Sequence, residues 1–189
     1  MKLENNRRLH TLDVARGLAV LLMVLDHIWL ARAFPCAWLI RKVITRAALP
    51  IFMMVSGYLW AVRGWSWRRG TLLVLAAMLS VRLAAGAGLP MPDILTIFAV
   101  VQAMAALAVR WPIPLAAAGL LQSSEWRIGW PNYEPGVVLC FCCLGVLLAK
   151  MGELPTLRCR WLEWIGRHPL TWYLGHLAAL ALWRAAYAI

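Results

Sequence analysis

Between residues 12 and 30 the chain reads LDVARGLAVLLMVLDHIWL, an apolar run long enough to span a bilayer that nevertheless carries Asp13, Arg16, Asp26 and His27. Ionisable groups in such a setting cost several kcal/mol each, roughly +2.5 to +3.5 on insertion scales, so they are usually kept for function. Arg16 and His27 are separated by three helical turns, which puts them on one face about 16 Å apart along the axis. That separation suits a lined channel or a long ligand. Asp13 and Arg16, three residues apart, can pair on one face. Asp26 points about 100° away from His27 around the helix, so adjacency alone does not let it orient the imidazole.

The rest of the chain repeats the apolar theme. Of 189 residues, 63% are hydrophobic and 14% charged, with mean hydropathy +0.71; a soluble domain would carry nearer 25% charge. The expectation is an all-α fold, a polytopic integral membrane helix bundle of six or seven transmembrane helices forming one domain over residues 1–189. The first segment covers about Leu12 to Leu30, the second Ala47 to Val62, the third Thr71 to Leu89 and the fourth Asp93 to Val109. IPLAAAGLL is a short fifth, re-entrant or tilted, GVVLCFCCLGVLLA a sixth and PLTWYLGHLAALALW a seventh. Residues 32–46 read as a short interfacial helix, and Lys150 to Arg167 as a basic loop. No cleavable leader is expected, because the first run is too long and is followed by Arg and Trp.

The net charge of +11 would suggest nucleic acid in a soluble protein. Here the basic residues cluster between apolar runs, so the positive-inside rule accounts for them and nucleic acid is not an expected partner. With the N-terminus cytoplasmic, that side collects Lys2, Arg7, Arg8, Arg63, Arg68, Arg69, Arg110, Lys150, Arg158, Arg160 and Arg167, against Arg32, Arg41, Lys42, Arg46 and Arg127 opposite. Tryptophans near segment ends fit an interfacial aromatic belt. Cys140, Cys142 and Cys143 lack the spacing and the histidines of a metal site and read as small buried hydrophobes, so no metal is expected.

Three groups of residues can carry chemistry. His27 can take a proton from a hydroxyl or amine and return it to a leaving group; the plainer alternative has Asp13 and Arg16 anchoring one helix end, with Asp26 and His27 near the outer interface. In PIFMMVSGY, Ser56 and Gly57 form a small polar patch, favouring close helix packing or, alternatively, ligand access to the first helix. In IGRHPLTWYLGHL, Tyr173 and His176 share a face, and His176 is either an interhelical hydrogen-bonding residue or part of the site.

RLHTLDVARGLAVLLMVLDH, LPIFMMVSGYLW and LEWIGRHPLTWYLGHL together resemble the three signature regions of the transmembrane acyltransferase superfamily, which includes the acyltransferase-3, heparan-α-glucosaminide N-acetyltransferase and pilin-acetylating TraX families. The opening resembles the arginine, ten residues, histidine motif of acyltransferase-3, and the DH pair and GRHPLTWYLGHL ending resemble short bacterial relatives of the heparan enzyme. The resemblance implies a multi-pass protein of the bacterial cytoplasmic membrane that moves an acyl group, acetyl above all, from cytoplasmic acyl-CoA to a hydroxyl or amine of a sugar or glycolipid. It implies His27 as general base or acyl carrier and Arg16 as the support of CoA. Beside these two, Asp26 and His176 are candidates for tuning the base or touching the acceptor, and Asp13, Ser56, Gly57 and His176 for the donor site. The chain is shorter than its acyltransferase-3 counterparts, so a homodimer or a partner protein would complete the wall of a tunnel. A second reading is a small non-catalytic transporter or accessory protein with an intramembrane proton relay; the lack of an internal repeat argues against a secondary transporter.

Overall fold

The computed structural model describes residues 10–30, 47–64, 66–88, 94–125, 135–152 and 154–187. The expected interfacial helix at 32–46, Cys36, the PMP turn and most of the QSSEWRIGWPNYEP connection lie outside those residues. All regular structure among the described residues is helical: α1 His10–Leu30, α2 Ala48–Arg63, α3 Trp67–Gly86, α4 Ile94–Gln102, α5 Ala105–Arg110, α6 Pro112–Glu125, α7 Pro135–Met151, α8 Arg160–Arg167 and α9 Pro169–Tyr187. Proline opens α6, α7 and α9, where its fixed φ suits the first turn and its missing N–H costs nothing. Gly64 ends α2 in the left-handed region, φ 71°, donating its N–H to the Trp60 carbonyl at 3.1 Å.

The helices meet through small residues at backbone contact. A Cβ on Gly57 would fall 1.9 Å from the carbonyl oxygen of Cys142, and one on Gly145 2.0 Å from that of Met54, so α2 and α7 touch main chain to main chain. Gly119 and Gly136 do the same for α6 and α7. Close approach of this kind maximises dispersion contact between the helices. Met53, Val138, Cys142, Cys143, Val146 and Leu177 form the fully buried centre. The thiols behave as the small hydrophobes expected of them: Cys142 lies against the Met53 sulfur at 3.6 Å.

Three elements differ from the sequence expectation. The fourth segment is two helices, broken at Ala103 and Met104 by N–H bonds to Val100 and Val101, three residues back. Nothing in the local sequence breaks a helix there; the turn re-aims α5 so that Ala105 and Ala108 are buried against α2 and α7. IPLAAAGLL belongs to a regular 14-residue helix. The basic loop before residue 168 contains α8, whose charged Arg160, Glu163 and Arg167 share one helical side; Glu163, Ile165 and Gly166 are buried, while Trp161 and Trp164 are exposed.

By length and composition, α3 is the one described helix able to cross a membrane, and α2 and residues 136–151 are shorter apolar helices. Leu72, Val74, Leu75, Met78 and Leu79 stand exposed along α3. Arg82 is exposed four residues before the end of α3.

Candidate active site

The two ends of the chain are bound to each other around the N-terminal half of α1. α8 crosses α1 so closely that a Cβ on Gly166 would lie 1.8 Å from the Asp13 carbonyl oxygen, and one on Gly17 2.1 Å from that of Leu162. Polar bonds flank this crossing. His10 Nδ1–H donates to Glu163 Oε2 at 2.9 Å, Arg167 donates to the same oxygen at 3.3 Å, and the Leu157 N–H donates to Thr11 Oγ1 at 2.9 Å. The His10 hydrogen bond, helped by the His10 charge, the Cys159 backbone and, least, the charge of Arg167, holds the Glu163 carboxyl below the usual carboxylate range against the opposing effect of burial. The residues HTLDVARG and LEWIGR are therefore two halves of one docking surface.

Arg16 emerges from that surface paired with Asp13, Nη1 to Oδ1 at 3.2 Å, as their spacing allows. Asp13 is buried and Arg16 half-buried. Arg16 lines a cavity of about 470 Å³ that Arg69 of α3 and Arg167 of α8 also reach. Gly64 and Ser66 of the α2–α3 connection complete this polar end. The remaining walls are apolar: Met23, Phe52, Leu59, Trp60, Leu72, Leu73, Leu95, Phe98 and Leu170, with Ser56, Gln102 and Tyr173 as further polar points. The volume lies in the range of small-molecule sites, about 300–1,000 Å³. Met23 lies about 10 Å along α1 from Arg16 on the same face, and His27 about 6 Å further.

One turn beyond the lining residues, α1 and α9 meet through their histidines. His27 Nδ1 and His176 Nε2 are 2.6 Å apart. The ring centroids are 4.9 Å apart at 17° between planes, the geometry of nearly coplanar rings meeting nitrogen to nitrogen. His176 Nδ1 lies 3.2 Å from the Trp172 carbonyl. Tyr173, which lines the cavity, packs its ring edge-on against His176 at 5.3 Å.

Of the residues singled out from sequence, the structure puts Arg16 and Ser56 on the cavity wall, pairs Asp13 with Arg16, and joins His27 to His176 one turn beyond the lining residues. His176 is an interhelical hydrogen-bonding residue whose partner is His27 itself. Asp26 is half-buried one residue before His27. Gly57 does not line the cavity; its open side faces the Cys142 carbonyl, so it serves helix packing and not ligand access. Sequence reasoning missed Arg69 and Arg167 as site residues. Both were visible only as basic residues of connections, where the positive-inside rule explains them without a site.

Residues 9–81 match the family model described as an acyltransferase domain, that of acyltransferase-3. The match covers α1, α2 and most of α3, including Arg16, His27, Ser56 and Arg69. It supports the acyltransferase-3 superfamily of membrane acyltransferases as the family of this chain, and with it acyltransferase activity in general. No curated protein and no solved structure matches the chain.

Proposed function

We propose that the protein is a multi-pass acyltransferase of the bacterial cytoplasmic membrane that takes an acyl group, acetyl above all, from acyl-CoA and places it on a hydroxyl or amine of a sugar or glycolipid. The observation that carries this reading is the cavity: three guanidinium groups at one end, apolar walls, and a histidine pair one turn beyond the other end. Guanidinium groups recognise phosphate oxygens with charge-assisted, often bidentate hydrogen bonds. An apolar sleeve suits the uncharged arm that carries a thioester, and Arg16 to His27, about 16 Å, is a reach that such an arm spans.

In this reading Arg16, Arg69 and Arg167 hold the donor's phosphates, with Asp13 fixing the Arg16 side chain. The acceptor's oxygen or nitrogen attacks the thioester carbonyl, His27 takes its proton, the carbon–sulfur bond breaks with the electron pair going to sulfur, and the proton is delivered there to give the CoA thiol. The membrane setting is supported by the apolar side chains exposed along α3 and by Leu18, Leu25, Leu107, Ile113 and Leu182 elsewhere, which water would leave unsolvated.

The test is transfer of radiolabelled acetyl from acetyl-CoA to membrane glycolipids by the purified wild type, His27→Ala and Arg16→Ala. Labelled product from wild type, lost in His27→Ala, supports the reading. Label retained on the wild-type protein and absent from His27→Ala would route the transfer through acyl-His27. Acetyl-CoA that neither binds nor turns over would refute the proposal.

A further inference from the structure

The His27–His176 contact has a proton order. A carbonyl oxygen can only accept, so the 3.2 Å contact between His176 Nδ1 and the Trp172 oxygen requires the hydrogen on Nδ1. Were that nitrogen unprotonated, its lone pair would face the lone pairs of the carbonyl. In the neutral imidazole the other nitrogen then bears the lone pair, so His176 Nε2 is an acceptor. Its partner at 2.6 Å, His27 Nδ1, must therefore be the donor. With the hydrogen of neutral His27 on Nδ1, its lone pair falls on Nε2. One fixed acceptor, a main-chain carbonyl of α9, sets the tautomers of two rings in turn, the way a second group orients a catalytic histidine in other sites.

We infer that His176 is a positioning residue: it holds His27 in the tautomer whose lone pair is on Nε2 and makes that nitrogen the one that takes the acceptor's proton. The inference rests on the proposed acyl transfer for its catalytic consequence but not for the tautomer itself. The acceptor's O–H or N–H proton passes to His27 Nε2 as the new bond to the thioester carbon forms. The resulting imidazolium keeps donating through Nδ1 to the neutral His176, and the Nε2 proton leaves with the sulfur. Without His176, Nδ1 has lost that acceptor, and the Trp172 carbonyl no longer sets the place of the His27 hydrogen. Because His176 is not among the cavity-lining residues, its removal should leave donor binding intact.

The experiment is NMR on the full chain in lipid nanodiscs with ¹⁵N,¹³C-histidine, paired with steady-state kinetics using acetyl-CoA. The chain has four histidines, so His27→Gln suffices to assign the His27 signal. In wild type, His27 should carry its hydrogen on Nδ1. In His176→Leu it should shift to the Nε2–H form or to a mixture; in His176→Gln, whose amide oxygen can accept, it should stay on Nδ1. For the same variants kcat should fall about 100-fold or more in His176→Leu and recover to within about tenfold of wild type in His176→Gln, the span expected for a correctly poised general base. KM for acetyl-CoA should stay within about twofold throughout. An Nε2–H tautomer for His27 in wild type overturns the inference. So does a His176→Leu protein that loses activity and thermal stability with its His27 tautomer unaltered, since that is the behaviour of a packing residue. The expected tautomers in a wild type that turns over no acetyl-CoA would overturn the acyl-transfer reading while the proton order stands.

Discussion

Replacing Gly166 with alanine adds one methyl group at the closest approach of α8 to α1. That methyl would lie 1.8 Å from the Asp13 carbonyl oxygen, 2.7 Å from its carbon and 2.8 Å from the Gly17 nitrogen. All three are main-chain atoms, so no rotamer change relieves the clash. Restoring ordinary contact requires α8 to move off α1 by roughly 1.5 Å, given carbon contacts of about 3.5 Å. A displacement of that size stretches the 2.9 Å His10–Glu163 bond beyond hydrogen-bonding range and draws Arg167, the next residue, away from Arg16. Overpacking of a filled contact costs about 1–3 kcal/mol, and each kcal/mol lowers Tm by about 2–4 °C in a chain of this size. Gly175 supplies the control on the neighbouring helix. A Cβ there meets nothing within 4 Å, and alanine is the better helix former by up to about 1 kcal/mol. In thermal unfolding in detergent, Gly166→Ala should lower Tm by several degrees and reduce the stabilisation given by acetyl-CoA, while Gly175→Ala should keep or raise Tm. Equal Tm values for Gly166→Ala and wild type, or an equal fall in both variants, would refute the argument that α8 and α1 meet backbone to backbone.

Arg69→Gln should weaken acetyl-CoA binding about tenfold to 100-fold, the worth of one hydrogen bond to a charged group, with Tm unchanged; unphosphorylated pantetheine, measured alongside by calorimetry, should lose nothing. Since Glu163 is held below the usual carboxylate range in the folded protein, its contribution is complete above the unfolded value, about 4.3, and is lost as pH falls through the lower folded value. A stability titration should therefore show a loss at the acid end in wild type that is missing in Glu163→Gln. Gly57→Ala should destabilise the α2–α7 contact through its 1.9 Å approach to the Cys142 oxygen, lowering Tm without a specific loss of donor affinity in the protein that remains folded. Cys142 and Cys143, fully buried, should resist maleimide labelling in the folded protein and react fully once it is denatured.

The strongest local signals in the chain led directly to its helices. The run from Leu12 to Leu30 became α1 with two more residues at its start, and Pro169, bracketed by Gly166, opened α9 as the sequence indicated. The common face of Arg16 and His27 follows from helical period alone. The break at Ala103 did not follow, because it depends on what the segment packs against; α8 was legible in the separation of its charged and apolar residues onto opposite helical sides but was read as a basic loop. In α8 a glutamate turns inward, held by His10, 153 residues earlier, and by Arg167 on the same helix. Arg69 and Arg167 were legible as charges between segments but not as members of a site.

By itself, the sequence determined that this chain is built of apolar helices, that one of them carries an arginine and a histidine three turns apart, and that its opening resembles that of the acyltransferase-3 family. Those properties are local: they depend on side-chain chemistry and on a period of 3.6 residues. Tertiary structure alone decided that three arginines from α1, α3 and α8 converge on one cavity, and that His27 meets a histidine 149 residues away. Such meetings depend on how closely helices approach, and at the α1–α8 crossing that distance is set by Gly17 and Gly166, residues with no side chain to announce what they touch.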